Sequence, residues 1–387
     1  MSTKEIHDGH FKERKPHTII KHRLFHSTLK RSLGIASVWS ECYVYLDLFA
    51  GDGFYEDGSE GSPIIALKEF SEYLKGNSRE LQKVFCAFCE KFGTDKLRAA
   101  IESLDIHPAV SYTVCADWED SFSLLTELKQ KCNFGFIFAD QYATELNLRR
   151  FIELVGQGKH DFLMFYNPMA LKRLKGKELT EHICKVLDVD EDEVIRVKQK
   201  EFKGFILKSL REKLHRLRDF VIIAAIPNTR KEKLTWSDYF YLVHGTNHPK
   251  VDDAFVKAYK DAVEDFRNYY GAMAQKHLFY DELERRFKKF IFRISQAFGR
   301  NSGISLYYLY LAATYELLSW KEAVKFNLVV PTMENLVKAL NELEREGKVK
   351  IQAPTEYRYK RGKRKGLLKH NFNRLQDLKS IRVVPLG

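Results

Sequence analysis

Between Tyr43 and Tyr166 the chain alternates five short apolar runs, β-branched and aromatic, with four longer stretches of helical spacing. The runs are Tyr43–Asp47, Val84–Cys89, Val110–Cys115, Phe134–Ala139 and Phe162–Tyr166, and helices are expected over 64–74, 94–104, 119–130 and 145–156. A strand reaches a parallel neighbour only by a crossover, usually helical, so this alternation predicts a doubly wound parallel α/β sheet. Two further runs, Phe220–Ile226 and Tyr239–His244, flank a polar turn and read as a hairpin-like pair that brings the sheet to seven strands. Residues 170–218 read as a charged, mostly helical insertion before that pair.

The first run continues into Leu48-Phe49-Ala50-Gly51-Asp52-Gly53. Glycine just past a buried strand permits a tight turn and lets backbone N–H groups approach a ligand. In open α/β sheets ligands sit beyond the carboxyl ends of the strands. Acids stand there on four successive strands: Asp47, Glu90, Asp117 and Asp140. Ser62-Pro63 then opens a helix, with Ser at the N-cap and Pro at the first helical position. The loop from Gly51 to Gly61 is long and acidic, suited either to ligand groups or to a flexible lid.

The string Asp47-Leu-Phe-Ala-Gly-Asp-Gly53 resembles the first motif of class I S-adenosylmethionine-dependent methyltransferases. That resemblance implies a seven-stranded Rossmann-like sheet and S-adenosylmethionine as cofactor. Asp47, Phe49, Gly51 and Gly53 would underlie the methionine end, and Glu90 would accept the ribose hydroxyls. Asp117 would accept the adenine amino group with Trp118 stacking on the ring, and Asp140 would stand beside the methyl donor. A nicotinamide-binding sheet fits less well, because the third glycine at the usual spacing is missing.

At 387 residues the chain is long enough for more than one domain, and 44% hydrophobic content suffices for real cores. The expected divisions are a helical segment over 1–40, the sheet domain over 41–250, a helical connector over 251–300 and a C-terminal domain over 301–387. In that last domain, helices 304–318, 320–326 and 333–346 followed by a strand from Lys348 predict a winged helix, with Asn335, Lys338 and Asn341 on the helix that meets nucleic acid. The net charge is +12, and ten Lys or Arg against one acid, Asp377, fall between Arg358 and Arg382. Lys360, Arg361, Lys363, Arg364 and Lys365 form the densest cluster, which attracts a polyanion; Tyr357, Tyr359 and Phe372 are interleaved for base stacking. No apolar run is long enough for a membrane span and the N-terminus is not a secretory signal, so a cytoplasmic location is expected.

Six cysteines read as small buried thiols rather than a disulfide framework, and Cys86-x-x-Cys89 lies within a strand without a second pair at zinc spacing. His22 and His26 are four apart on the N-terminal helix and read as a solvated face; no metal is expected.

Tyr45-Leu-Asp47-Leu-Phe-Ala-Gly51-Asp-Gly53, Gly61-Ser62-Pro63 with Ala66-Leu67, and Asn247-His248-Pro249-Lys250 together resemble the three-Cys-motif partner protein family. The resemblance implies a methyltransferase-like fold, a partner whose three cysteines hold an iron–sulfur cluster, and work on nucleic acid. After strand four this chain has Asp140-Gln141-Tyr142-Ala143 where that family has an Asp-Pro-Phe-Gly-like turn. Asp140 and Tyr142 are therefore the residues expected to position a methyl acceptor. Asn167-Pro168 has the flavour of an amino-group methyltransferase turn but falls one strand later. Two readings follow: a nucleic-acid methyltransferase, or a non-catalytic nucleic-acid-binding adaptor on the same fold.

Overall fold

The computed structural model describes residues 16–76, 81–141, 146–156, 159–166, 176–197, 202–227, 239–269, 280–299, 303–318, 332–358, 367–369, 372 and 375–386. The chain divides into two compact units, residues 1–246 and 247–387.

The first unit holds one seven-stranded sheet. Its strands are β1 (Cys42–Asp47), β2 (Lys83–Cys89), β3 (Val110–Cys115), β4 (Phe134–Asp140), β5 (Lys159–Tyr166), β6 (Phe220–Pro227) and β7 (Tyr239–Thr246), in the order β3-β2-β1-β4-β5-β7-β6. The first five run parallel, and β7 lies antiparallel to both β5 and β6. The order reverses at β1, which has β2 on one side and β4 on the other. A crevice opens at such a switch point. The sheet is doubly wound and Rossmann-like, as the alternation predicts.

Helices α1 (Pro16–Ala36), α2 (Ser62–Gly76), α3 (Thr94–Glu102), α4 (Phe122–Lys131) and α5 (Leu148–Val155) occupy the first part of the unit, and α6 (Gly176–Leu187), α7 (Glu191–Ile195) and α8 (Phe202–Leu214) make up the charged insertion. Tyr43 to Asp47 are all buried, as expected of a central parallel strand covered on both faces. α1 lays Leu24, Phe25 and Leu29 into the core. The Phe25 ring sits 4.4 Å from Phe138 and also meets Tyr45 and Phe136. Truncating so enclosed a ring costs about 3–5 kcal/mol.

A buried polar knot fastens α1 to the sheet. Ser32 donates to Asp161 at 2.5 Å and lies 2.7 Å from the Tyr43 hydroxyl, so one side chain joins α1, β1 and β5. Burial pushes the Asp161 carboxyl up to about 6, against its hydrogen bonds from Ser32 and Thr246. β5 begins at Lys159, earlier than the apolar run suggests, because Asp161 is satisfied in this way and the His160 carbonyl accepts from the buried Arg218 guanidinium at 2.8 Å.

Cysteine usage departs from the sequence reading. Cys42 opens β1 and Cys132 precedes β4, which are sheet neighbours; this brings their Cα atoms to 5.6 Å and the two form a disulfide. Cys86, Cys89 and Cys115 are buried free thiols. Of His22 and His26 on α1, His26 is exposed as a solvated face requires and His22 is not. His22 is buried with its ring 6.0 Å from Tyr55, and His26 lies 2.7 Å from the buried carboxylate of Glu69. Among the described residues no cluster of His, Cys, Asp and Glu could hold a metal ion, and no helix is long and apolar enough to cross a membrane.

The second unit contains α9 (Pro249–Tyr269), α10 (Tyr280–Gly299), β8 (Ile304–Ser305), α11 (Leu306–Leu318), α12 (Met333–Arg345), β9 (Val349–Gln352), α13 (Leu375–Ser380) and β10 (Arg382–Pro385). Its three strands are antiparallel in the order β8-β10-β9. Ile304 and Ser305 belong to a strand and not to the following helix, because they pair with Val383 and Arg382.

Three residues expected to meet nucleic acid here are structural. Asn341 is buried, its amide donating to the Leu368 carbonyl at 3.1 Å and its carbonyl accepting from Leu368 N–H at 2.8 Å. Tyr357 donates to Asp377 at 2.8 Å, and its ring packs 5.9 Å from the buried Phe372. The basic segment is also more than a solvated tail: Leu368, Phe372, Leu378, Ile381 and Val383 return to the core. Lys360, Arg361, Lys363, Arg364, Lys365, Tyr359 and the expected helix 320–326 lie outside the described residues.

Candidate functional site

A cavity of about 440 Å³ opens beyond the carboxyl ends of β1, β2 and β3. Leu48, Phe49, Glu90, Asp117 and Trp118 line it, joined by Lys91, Phe92, Leu146 and, from α6, Lys185. Four of the residues expected to hold a cofactor, Phe49, Glu90, Asp117 and Trp118, are thus brought together. Asp47, Gly51, Gly53 and Asp140 are not among its lining residues. Sequence reasoning missed Lys91 and Lys185; a lysine after a strand-end acid, or on a charged helix, carries no signal of its own.

The turn after β1 explains this geometry. Gly51 and Gly53 have φ of 71° and 90°, in the left-handed region that favours glycine. A Cβ on Gly53 would come within 2.8 Å of the Ala100 Cβ. The loop then doubles back: Gly61 N–H donates to the Gly53 carbonyl at 2.7 Å, Tyr55 N–H to the Ser59 carbonyl at 2.9 Å, and Phe54 bridges Glu60. It is a stitched turn and not an open lid.

Glu90 anchors the turn. Its Oε2 accepts from Gly51 N–H at 2.8 Å, and Oε1 accepts from Phe92 N–H at 2.8 Å and Gly93 N–H at 3.3 Å. The residue is only 2% exposed. Three backbone donors thus converge on this one buried carboxylate. Asp117 is half-buried; its Oδ1 accepts from Glu119 N–H at 2.8 Å and its Oδ2 lies 3.4 Å from the Lys91 ammonium. Trp118 is buried, with its ring 6.4 Å from Phe49.

Asp47 faces inward. It accepts from the Tyr45 hydroxyl at 3.0 Å and from Phe49 N–H at 3.4 Å. Burial pushes its carboxyl up to about 7, opposed by hydrogen bonds from Ser62, Tyr45 and Phe49 and reinforced by the nearby Asp140. Asp140, at the end of β4, pairs with Lys21 of α1 at 2.5 Å, and the Lys21 ammonium lies 4.3 Å from the centre of the Phe165 ring. Lys21 is a third residue that sequence reasoning missed. Its signal was its place on the buried stripe with Leu24, Phe25 and Thr28. Tyr142, Asn167 and Pro168 lie outside the described residues. Gln141 is buried and holds the segment on either side of them: its amide donates to the Phe165 carbonyl at 3.1 Å and its carbonyl accepts from Leu146 N–H at 2.6 Å.

No family model matches the chain, and no curated protein matches it. Solved structures do. A protein from Legionella pneumophila is 14% identical, with 64% of this chain and 91% of that one covered and a TM-score of 0.39. The O-methyltransferase from Bacillus cereus in complex with SAH is 12% identical, with 58% and 80% covered and a TM-score of 0.29. TrmK of M. capricolum in complex with S-adenosyl-homocysteine is 7% identical, with 66% and 92% covered and a TM-score of 0.21. The fold assignment rests on the strand order, not on these likenesses.

Proposed function

We propose that the chain is an S-adenosylmethionine-dependent methyltransferase acting on nucleic acid. The observation that carries this reading is the cavity at the switch point. Its volume of about 440 Å³ lies within the usual range for small-molecule sites. Glu90 and Asp117 put acids on the cavity wall at the ends of β2 and β3, where ribose hydroxyls and an adenine amino group would be met, and Phe49 and Trp118 supply apolar walls. The glycine turn brings backbone close to the same place. Bound there, the cofactor would supply an electrophilic methyl group on a sulfonium. The protein's part is to hold that group in line with the acceptor at Asp140 and to exclude water.

Nucleic acid as substrate is supported by the charge of +12 and by the second unit. Its order of α10, β8, α11, α12, β9, α13 and β10, with β10 central in the sheet, supports a winged-helix reading. Arg358 bridges Leu368, and Lys369 N–H donates to the Tyr357 carbonyl at 2.8 Å. In sequence, Lys360, Arg361, Lys363, Arg364 and Lys365 fall between Arg358 and Leu368. A three-cysteine-motif protein is the partner that the motifs imply.

One observation favours the adaptor reading: both oxygens of Glu90 already hold backbone donors. Calorimetric titration with S-adenosylmethionine decides between the two. Saturable binding supports the methyltransferase, and no heat at millimolar cofactor leaves the adaptor.

A further inference from the structure

Lys21 pairs with Asp140, which ends β4 next to the start of the turn after β1. It is 2% exposed, its ammonium is 2.5 Å from Asp140 Oδ2, and it caps the Phe165 ring at 4.3 Å. Asp140 keeps 15% of its side chain exposed. A buried cation at this carboxylate repels an incoming ammonium and the cationic nitrogen that forms when a neutral amine is methylated. It does the opposite for an oxygen nucleophile. The carboxylate takes a hydroxyl proton, and the ammonium stabilises the charge that develops on oxygen in a site shielded from water.

Resting on the methyltransferase reading above, we propose that Lys21 and Asp140 form an acceptor site for a hydroxyl, and that the substrate class is RNA methylated at a ribose 2′-oxygen. RNA carries this hydroxyl along its whole length and DNA does not. In the step, the ribose oxygen forms a bond to the methyl carbon, whose bond to sulfur breaks with the electron pair left on sulfur. Asp140 takes the hydroxyl proton and passes it to water. Lys21 is a catalytic residue in contact with the acceptor oxygen.

The full-length protein is incubated with methyl-labelled S-adenosylmethionine and either total cellular RNA or sheared DNA, and the RNA is then hydrolysed in alkali. A 2′-O-methyl group blocks cleavage, so label is expected in RNA only, in alkali-stable dinucleotides. Lys21→Met should cut transfer by about a hundredfold or more while cofactor affinity stays within about twofold. Lys21→Arg keeps the charge and should keep the fold and part of the activity, which separates chemistry from a loss of packing. Label in methylated bases, label in DNA, no label despite cofactor binding, or full activity of Lys21→Met overturns the inference and leaves the cofactor site standing. Absence of cofactor binding by calorimetry overturns the methyltransferase reading itself.

Discussion

The Gly51 amide donates to Glu90 Oε2 at 2.8 Å, joining the glycine turn after β1 to the acid that ends β2. One carboxylate thus shapes the floor of the cavity and also faces into it. Loop geometry and ligand affinity are coupled through Glu90, and a change there acts on both.

Glu90→Ala should lower cofactor affinity and stability together. It removes charge-assisted hydrogen bonds and leaves buried N–H groups of Gly51 and Phe92 without their acceptor, a loss of about 2–3 kcal/mol. Glu90→Gln keeps one oxygen acceptor and should lose less. Urea unfolding alongside calorimetry with S-adenosylmethionine measures both effects. Unchanged stability with weakened binding would show that Glu90 serves the ligand alone.

Asp47 should give the folded protein a pH signature. Its carboxyl sits at about 7, raised by burial, against about 4 in an unfolded chain. Between these values the folded state holds a proton that the unfolded state has lost. Stability therefore falls as pH rises through this window, by up to about 1.4 kcal/mol per pH unit. Asp161, at about 6, adds a slope of the same sign. His160 and His244, lowered by burial to about 4 and about 3, act the other way below about 6.5, where the unfolded chain takes up protons that the folded one refuses. Asp47→Asn removes only the first contribution, so urea midpoints between pH 5 and 7 should decline less steeply with pH than those of the wild type. Parallel curves would contradict a protonated Asp47.

Asn341→Ala should destabilise the second unit by about 1–3 kcal/mol, because it leaves the buried Leu368 N–H and carbonyl unsatisfied. Nucleic-acid affinity of the folded variant should not change. A variant of wild-type stability that binds nucleic acid more weakly would restore Asn341 as a contact residue.

Replacing Lys360, Arg361, Lys363, Arg364 and Lys365 by glutamine should weaken nucleic-acid binding and flatten its salt dependence. Each lost phosphate contact lowers the log–log slope by about 0.9 on duplex DNA and about 0.7 on single strands. Affinity measured from low to high salt checks this, and an unchanged slope would clear the cluster of any phosphate contact. Truncating the chain from residue 356 onward is a poor substitute, because it also removes β10.

What was legible in the sequence follows from how each residue is satisfied. β1, β2 and β4 announce themselves because strands inside the sheet, covered on both faces, are mostly apolar, the edge strand β3 is read from its β-branched and aromatic residues, and the strand-end acids follow from position. The start of β5 is hidden: Lys159-His160-Asp161 looks like a turn until Ser32 and Arg218, remote in sequence, complete its hydrogen bonds. Lys21 is hidden because a lysine on a basic helix reads as solvent-facing, and only Asp140, far along the chain, makes its burial tolerable. Asn341 misled for the converse reason, since a polar residue on a helix suggests a surface. β8 is too short to break the apolar pattern of α11.

Among the described residues β8 and β9 are not paired with each other; each pairs with β10. β9 is therefore without a partner strand until β10, about 30 residues further on, has docked. Until then β9 presents an open edge, with Val349 and Ile351 uncovered, to other copies of the chain. Lys350, exposed between those two residues, puts a charge on the bare strand, the usual guard against edge-to-edge association. Removing that one lysine would be felt as aggregation of newly made protein, with no trace in the stability of the finished fold.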